Sequence, residues 1–71
     1  MMSFNRKLSF YIAETEFGYV VVSRDEDAET VESEPFPYVH QATACADYAA
    51  RVVIATLRSL DLDADQVSGD Y

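Results

Sequence analysis

The hydrophobic pattern of this chain changes period at Pro35 and Pro37. Upstream, KLSFYIAE alternates between apolar and polar side chains and YVVVSR is a β-branched run, both of which are typical of strands. Downstream, VHQATACADYAARVVIATLRSL is rich in alanine and contains neither Gly nor Pro, which favours a helix. Because a proline disfavours helical conformation in the residue before it, the two prolines separate the strands from the helix.

The two strand segments are joined by TEFG, a short turn in which Gly18 can adopt a positive φ. This pattern predicts an antiparallel hairpin over residues 7–24. An isolated hairpin is only marginally stable in water, so we expect the helix predicted near 39–60 to cover one of its faces. The side chains predicted to form that face are Leu8, Phe10, Ile12, Val20 and Val22.

The predicted helix carries one stripe of small and aliphatic side chains at helical spacing, which we expect to pack on the sheet. Asp47 and Arg51, four positions apart, should form a surface ion pair. The stripe consists of Ala42, Cys45, Ala46, Ala49, Val52, Val53, Leu57 and Leu60.

Between hairpin and helix, AETVESE alternates in part and predicts a third, edge strand near 28–34, whose charges would protect the edge from unwanted pairing. The predicted fold class is therefore α+β: an antiparallel two- to three-stranded sheet packed against one long C-terminal helix. We expect residues 1–60 to form a single β-β-β-α domain and residues 61–71 to be an acidic, flexible tail.

The chain is short and strongly acidic. Its 71 residues allow one small domain, and 49% of them are apolar, enough to fold despite a net charge of -8. The single cysteine excludes an internal disulfide, and MMSFNRKLSF lacks the apolar run of a signal peptide or membrane span, so we expect a cytoplasmic protein. Such a charge repels nucleic acid and membranes and attracts basic protein surfaces, although it would also serve solubility alone.

Eight of the 13 acids fall within a short part of the sequence. Alternate residues of a strand lie about 6.7 Å apart on one face, so Glu32 and Glu34 would repeat at a pitch resembling that of neighbouring phosphates. This favours a partner-binding surface for a basic groove. A solvated turn beside a protected edge explains any single carboxylate at least as well, and it is the cluster as a whole that favours a binding surface. The eight acids are Glu14, Glu16, Asp25, Glu26, Asp27, Glu29, Glu32 and Glu34.

Three aromatic residues, Tyr11, Phe17 and Tyr19, belong to the hairpin turn or to the face opposite Phe10. With only one long helix predicted, we expect that face to be uncovered. Aromatic side chains are enriched at interface cores, so the three are a candidate protein contact or homodimer interface. The alternative is an inverted register that places this face under the helix.

The sequence contains no catalytic or cofactor motif. His40 and Cys45 are five positions apart, which puts them on diverging faces of a helix, and no second His or Cys completes a metal set. The acidic tail resembles the start of a calcium-binding EF-hand loop, but Gln66 occupies the position at which such a loop requires glycine. We therefore expect a protein that is not an enzyme and has no metal or cofactor. The acids that resemble the start of such a loop are Asp61, Asp63 and Asp65.

The combination of LSFYIAE, YVVVSRDEDAETVESE and VHQATACADYAARVVIATLRSL in one small acidic chain resembles the inhibitors that phages and mobile elements encode, especially anti-CRISPR proteins. The resemblance is one of type. It implies a protein of the host cytoplasm that binds a CRISPR effector complex and occupies its DNA-binding surface as a DNA mimic. The strand and helix order is also similar to that of small bacterial domains that pair into dimers. The alternative is therefore a non-enzymatic homodimerising module whose acidity serves solubility.

Overall fold

The computed structural model describes residues 7–65 and 67–71, which form one sheet and one helix. In the sheet, Glu29–Val31 lies at one edge and is followed by Gly18–Arg24, Leu8–Thr15 and Val67–Asp70, and the helix packs on one face. The predicted α+β class, hairpin and long helix are confirmed, and the edge strand is present but shorter than predicted. Residues 1–6 of the predicted domain and Gln66 of the predicted tail lie outside the described residues. The elements are β1 (Leu8–Thr15), β2 (Gly18–Arg24), β3 (Glu29–Val31), α1 (Val39–Ser59) and β4 (Val67–Asp70).

The turn between β1 and β2 is closed by Thr15. Its Oγ1 donates a hydrogen bond to the Gly18 carbonyl oxygen at 2.8 Å and accepts one from the Phe17 N–H at 3.1 Å. Gly18 has a φ of 132°, as the sequence predicted, and a Cβ at this position would lie 2.5 Å from the Phe36 carbonyl oxygen. Glycine is therefore required for two reasons: its backbone has a positive φ, and the backbone of Phe36 passes too close to leave room for a Cβ.

The register of the hairpin differs from the predicted one by one residue. Ile12 pairs with Val21, so Val21 lies under α1 and is fully buried. Because side chains alternate along a strand, this shift moves Val20 and Val22 to the opposite face, called here the far face, where both are also buried. The prediction that Val20 and Val22 lie beside Ile12 is therefore wrong.

The core is built from alanines of the helix and large side chains of the sheet. Ala42, Ala46 and Ala50 are buried at successive helical turns and pack with Phe10 and Val21. Since an alanine adds little volume, the helix backbone lies close to the strands and the sheet side chains fill the space between. The core therefore depends on a narrow stripe of α1.

That stripe is displaced relative to the one predicted. Ala50 is buried although it does not belong to the predicted stripe, whereas Val52 is 45% exposed and Leu60 is also exposed. Cys45 and Ala49 are partly buried and pack against the core from one side. The buried line therefore runs along three alanines spaced by four and continues to Leu57, as predicted, whereas Val52 stands at its flank.

Helix α1 ends in a Schellman motif. Asp61 has a φ of 57°, and its N–H donates to the Arg58 carbonyl oxygen at 3.1 Å. The N–H of Leu62 donates to the Leu57 carbonyl oxygen at 2.8 Å. These two bonds satisfy carbonyl groups that the end of a helix otherwise leaves free. An aspartate thus occupies the left-handed position that usually carries glycine.

Strand β4 corrects the prediction of a flexible tail. Val67–Asp70 pairs in parallel with β1, where Leu8 aligns with Val67, so the sheet is mixed and has four strands. The VSGD segment has no alternation that would mark a strand, and its pairing depends on the edge that β1 offers. After β4, the Tyr71 hydroxyl donates to Oδ1 of Asp47 on α1 at 3.4 Å.

Replacing Phe10 tests the core directly. Phe10 is 3% exposed, so we expect Phe10→Ala to lower the free energy of unfolding by about 3–5 kcal/mol, measured by urea denaturation. Tyr11→Ala, on the far face, should cost clearly less. Equal destabilisation by the two substitutions would contradict the assignment of faces.

Replacing Asp61 tests the helix end. Asp61→Gly should raise the free energy of unfolding by about 0.5–1 kcal/mol, because a left-handed residue without a Cβ is less strained. Asp61→Ala is the matched control, since it removes the same charge and keeps the Cβ, and it should give no gain. A similar gain in both variants would show that charge, and not backbone conformation, is responsible.

Candidate functional site

The chain from β3 to Phe36 lies beside the whole length of β2. At one end Glu29 pairs with Arg24, and at the other Phe36 and Tyr19 exchange two backbone hydrogen bonds of 2.8 Å. Seven strand residues span roughly 20 Å, so this segment forms one long side of the sheet. It carries Glu29, Glu32 and Glu34.

The remaining acids of the predicted surface lie at the two ends of β2. Glu16 is in the turn that precedes β2, with Glu14 at the end of β1, and residues 25–27 form the turn that follows it. Of the eight acids, seven are exposed and Asp25 is half-buried. The structure therefore places them along one side of the sheet and around its corners. We call this set the acidic edge: Glu14, Glu16, Asp25, Glu26, Asp27, Glu29, Glu32 and Glu34.

Asp25 stabilises its own turn. Its Oδ1 accepts the N–H groups of Asp27 and Ala28, each at 2.8 Å, and its N–H donates to the Ala28 carbonyl oxygen at 3.0 Å. An aspartate side chain that bonds to the backbone two residues ahead is a common turn device. This carboxylate therefore shapes the acidic edge as well as adding charge to it.

Glu29 belongs to the far face of the sheet. Its Oε1 lies 3.5 Å from Nε of Arg24, and its carboxylate lies near the Tyr11 hydroxyl. The pKa of Tyr11 is raised, first by desolvation and then by the hydrogen bond and the negative charge of Glu29. Glu29 therefore interacts with both Arg24 and Tyr11 on the far face.

Glu32 belongs to the helix side of the same edge. Its Oε1 accepts a hydrogen bond of 2.7 Å from the hydroxyl of Ser23, a residue that is 8% exposed. Because β3 ends at Val31, strand geometry does not continue to Glu34. The predicted row of carboxylates at strand pitch is therefore not formed. Instead, Glu29 and Glu32 carry negative charge on opposite faces of one edge.

Beside Glu32, a groove of about 450 Å³ opens between α1 and the sheet. Its lining is almost entirely hydrophobic, with the Glu32 carboxylate and the Ser23 hydroxyl as polar groups of the sheet side. The groove was not predicted from the sequence, because helical spacing alone assigns Val52 to the buried stripe. The signal was present in Tyr48 and Val52, which are one helical turn apart at the flank of that stripe. The lining residues are Leu8, Phe10, Ser23, Glu32, Tyr48, Ala49, Val52 and Val53.

The three candidate interface aromatics do not share a surface. Tyr19 lies on the helix side and packs against the core, whereas Tyr11 lies on the far face. Phe17 is in the turn and is 77% exposed. The one-residue shift in register moves Tyr19 to the helix side, so Tyr19 does not lie on the face that was predicted for it.

The remaining candidate residues, His40 and Cys45, are in contact with neighbouring side chains and not with each other. The His40 ring stacks on the Tyr38 ring with 5.7 Å between centroids, and Cys45 packs against the core. Within residues 7–65 and 67–71, no three or more His, Cys, Asp or Glu side chains are grouped so as to hold a metal ion. In this same part of the chain, no helix has the length and apolar character needed to cross a membrane.

No family model, curated protein or solved structure matches this chain. The fold creates two surfaces that are candidates for a binding function. One is the acidic edge. The other is the hydrophobic groove that Glu32 borders.

The hydrogen bond between Ser23 and Glu32 can be tested without changing the groove greatly. Glu32→Gln keeps an acceptor for Ser23 and should change the free energy of unfolding by less than about 0.5 kcal/mol. Glu32→Ala removes the acceptor from a buried hydroxyl and should cost about 1 kcal/mol or more in urea denaturation. Glu34→Ala is the matched control and should be nearly neutral. Equal effects at Glu32 and Glu34 would contradict a structural role for this bond.

Proposed function

We propose that this protein is a non-enzymatic inhibitor of the anti-CRISPR type, which occupies the basic nucleic-acid-binding surface of a CRISPR effector complex. The observation that supports the proposal is the acidic edge. Its carboxylates are almost all exposed, and they line one side of a thin sheet. A Lys- and Arg-lined groove that binds phosphates attracts such a surface through the same charges.

The distribution of charge favours a binding role over solubility alone. Residues 14–34 carry eight acids and one base, Arg24, whereas the rest of the chain carries five acids and four bases. Nearly all of the net charge therefore comes from one stretch of sequence. Charge that serves only solubility has no need to be concentrated in this way.

The opposite orientations of Glu29 and Glu32 favour insertion of the edge into a groove. A nucleic-acid-binding groove has basic side chains on two walls, and an inserted edge presents a carboxylate to each wall. This mode of mimicry depends on charge on both faces and not on a regular phosphate pitch. Arg24 beside Glu29 reduces the charge of the far face in part.

The experiment compares two variants with the same change in net charge. The edge variant replaces four glutamates by glutamine: Glu16, Glu26, Glu32 and Glu34. The control variant replaces four aspartates outside the acidic edge by asparagine: Asp61, Asp63, Asp65 and Asp70. Both sets are exposed, and the edge set avoids Asp25 and Glu29, whose carboxylates contact the backbone of the turn and Arg24. At Glu32, glutamine keeps an oxygen that can accept the hydrogen bond of Ser23.

Fluorescence anisotropy would measure displacement of labelled target DNA from purified CRISPR effector complexes. We expect the wild type to displace DNA, the edge variant to be weaker by about 100-fold, and the control variant to change by less than about three-fold. Inhibition should fall steeply between about 50 and 200 mM salt, and the protein should not bind the DNA itself. Failure to displace DNA, or undiminished inhibition by the folded edge variant, would refute the proposal.

A further inference from the structure

We propose that the groove between α1 and the sheet binds an amphipathic, positively charged helical segment of a partner protein. The site is separate from the acidic edge except at Glu32, which belongs to both. The inference rests on the proposed function for the basic character of the partner. The groove adds a hydrophobic contact to the binding by the acidic edge, which would be weak and sensitive to salt if it depended on charge alone.

The walls of the groove combine exposed and buried hydrophobic side chains. Tyr48 is 72% exposed and stands with Val52 on one helical face, one turn apart. Phe10 forms part of the floor and is buried. Ala49 lies between the two exposed side chains along the helix, and its small size leaves room there. A concavity of this kind accepts the apolar side chains of a helix laid along it.

Glu32 determines the charge of the occupant. The carboxylate is held at the groove by the Ser23 hydroxyl, and its neighbours in the lining are mainly hydrophobic. An occupant that excludes water from this position strengthens the attraction between the carboxylate and a cation. A Lys or Arg beside a leucine or phenylalanine suits both the hydrophobic lining and the Glu32 carboxylate. The apolar stem of the basic side chain can lie on Val52 while its charged end reaches Glu32.

The same charges disfavour other occupants. A second copy of this chain would bring another net charge of -8 to the groove, and an anionic lipid or nucleic acid would be repelled likewise. A neutral apolar segment would leave the carboxylate of Glu32 facing hydrophobic surface without a counter-charge. The basic amphipathic helix is therefore the occupant that fits both the shape and the charge.

The probe is a synthetic, capped peptide of about 12 residues with leucines at helical spacing on one face and lysines elsewhere. One control peptide has the same composition in an order that destroys the apolar face, and a second replaces every lysine by glutamate. Binding would be measured by fluorescence anisotropy, and the contact surface by amide chemical shifts of the isotope-labelled protein. We expect only the first peptide to bind, with shifts centred on Tyr48, Ala49 and Val53.

Two pairs of variants locate the site. Val52→Gln and Glu32→Gln alter the groove, and each should weaken peptide binding by about ten-fold. Val31→Gln replaces an exposed valine outside the groove, and Glu34→Gln removes one acidic-edge charge outside it, so neither should weaken binding more than about two-fold. Thermal unfolding of all four variants would confirm that they are folded.

Several results would overturn the inference. These are the absence of binding by the amphipathic peptide, equal binding of the scrambled peptide, and equal effects of Glu32→Gln and Glu34→Gln. Concentration-dependent shifts at Tyr48 and Val52 without peptide would identify a second copy as the occupant and would also overturn it.

DNA displacement by Val52→Gln separates the two proposals, because this variant keeps every carboxylate of the acidic edge. If the peptide does not bind but the protein still displaces DNA, only the proposal for the groove is refuted. If the peptide binds but the protein does not displace DNA, only the inhibitor function is refuted.

Discussion

The contact between the alanines of α1 and the side chains of Phe10 and Val21 determines the rest of the structure. Alanines at every fourth position bring the helix close to the strands, so a sheet of short strands can be covered by one helix. The buried stripe is narrow, and the larger residues Tyr48 and Val52 stand beside it and not within it. The hydrophobic groove is thus a direct result of the way in which the core is packed.

The sequence predicted the elements that depend on local signals. The change of period at Pro35 and Pro37 separated strands from helix, and Gly18 marked the turn, because both are properties of neighbouring residues. The register could not be predicted in the same way. Val20, Val21 and Val22 are all apolar, so alternation does not show which of them faces the helix, and the pairing across the hairpin decides it.

Strand β4 and the orientation of the acidic side chains depend on partners distant in sequence. The VSGD segment becomes a strand because β1 offers an unpaired edge, and no property of its own four residues indicates this. The sequence predicted which acids are concentrated between residues 14 and 34. It could not predict that Glu29 meets Arg24 and Tyr11 on one face while Glu32 meets Ser23 on the other, because those contacts arise only when the strands pair.

The parallel pairing of β1 with β4 also has a consequence for synthesis of the chain. Leu8 and Val67 are neighbours in the sheet but are far apart in the sequence, so one edge of β1 stays unpaired until residues 67–70 have left the ribosome. Contacts of such long range slow folding and leave a nascent chain exposed to association through its strand edges. The hairpin and α1 can form earlier, since their hydrogen bonds are local. Completion of the sheet is therefore a late step in folding, which follows the formation of the hairpin and of α1.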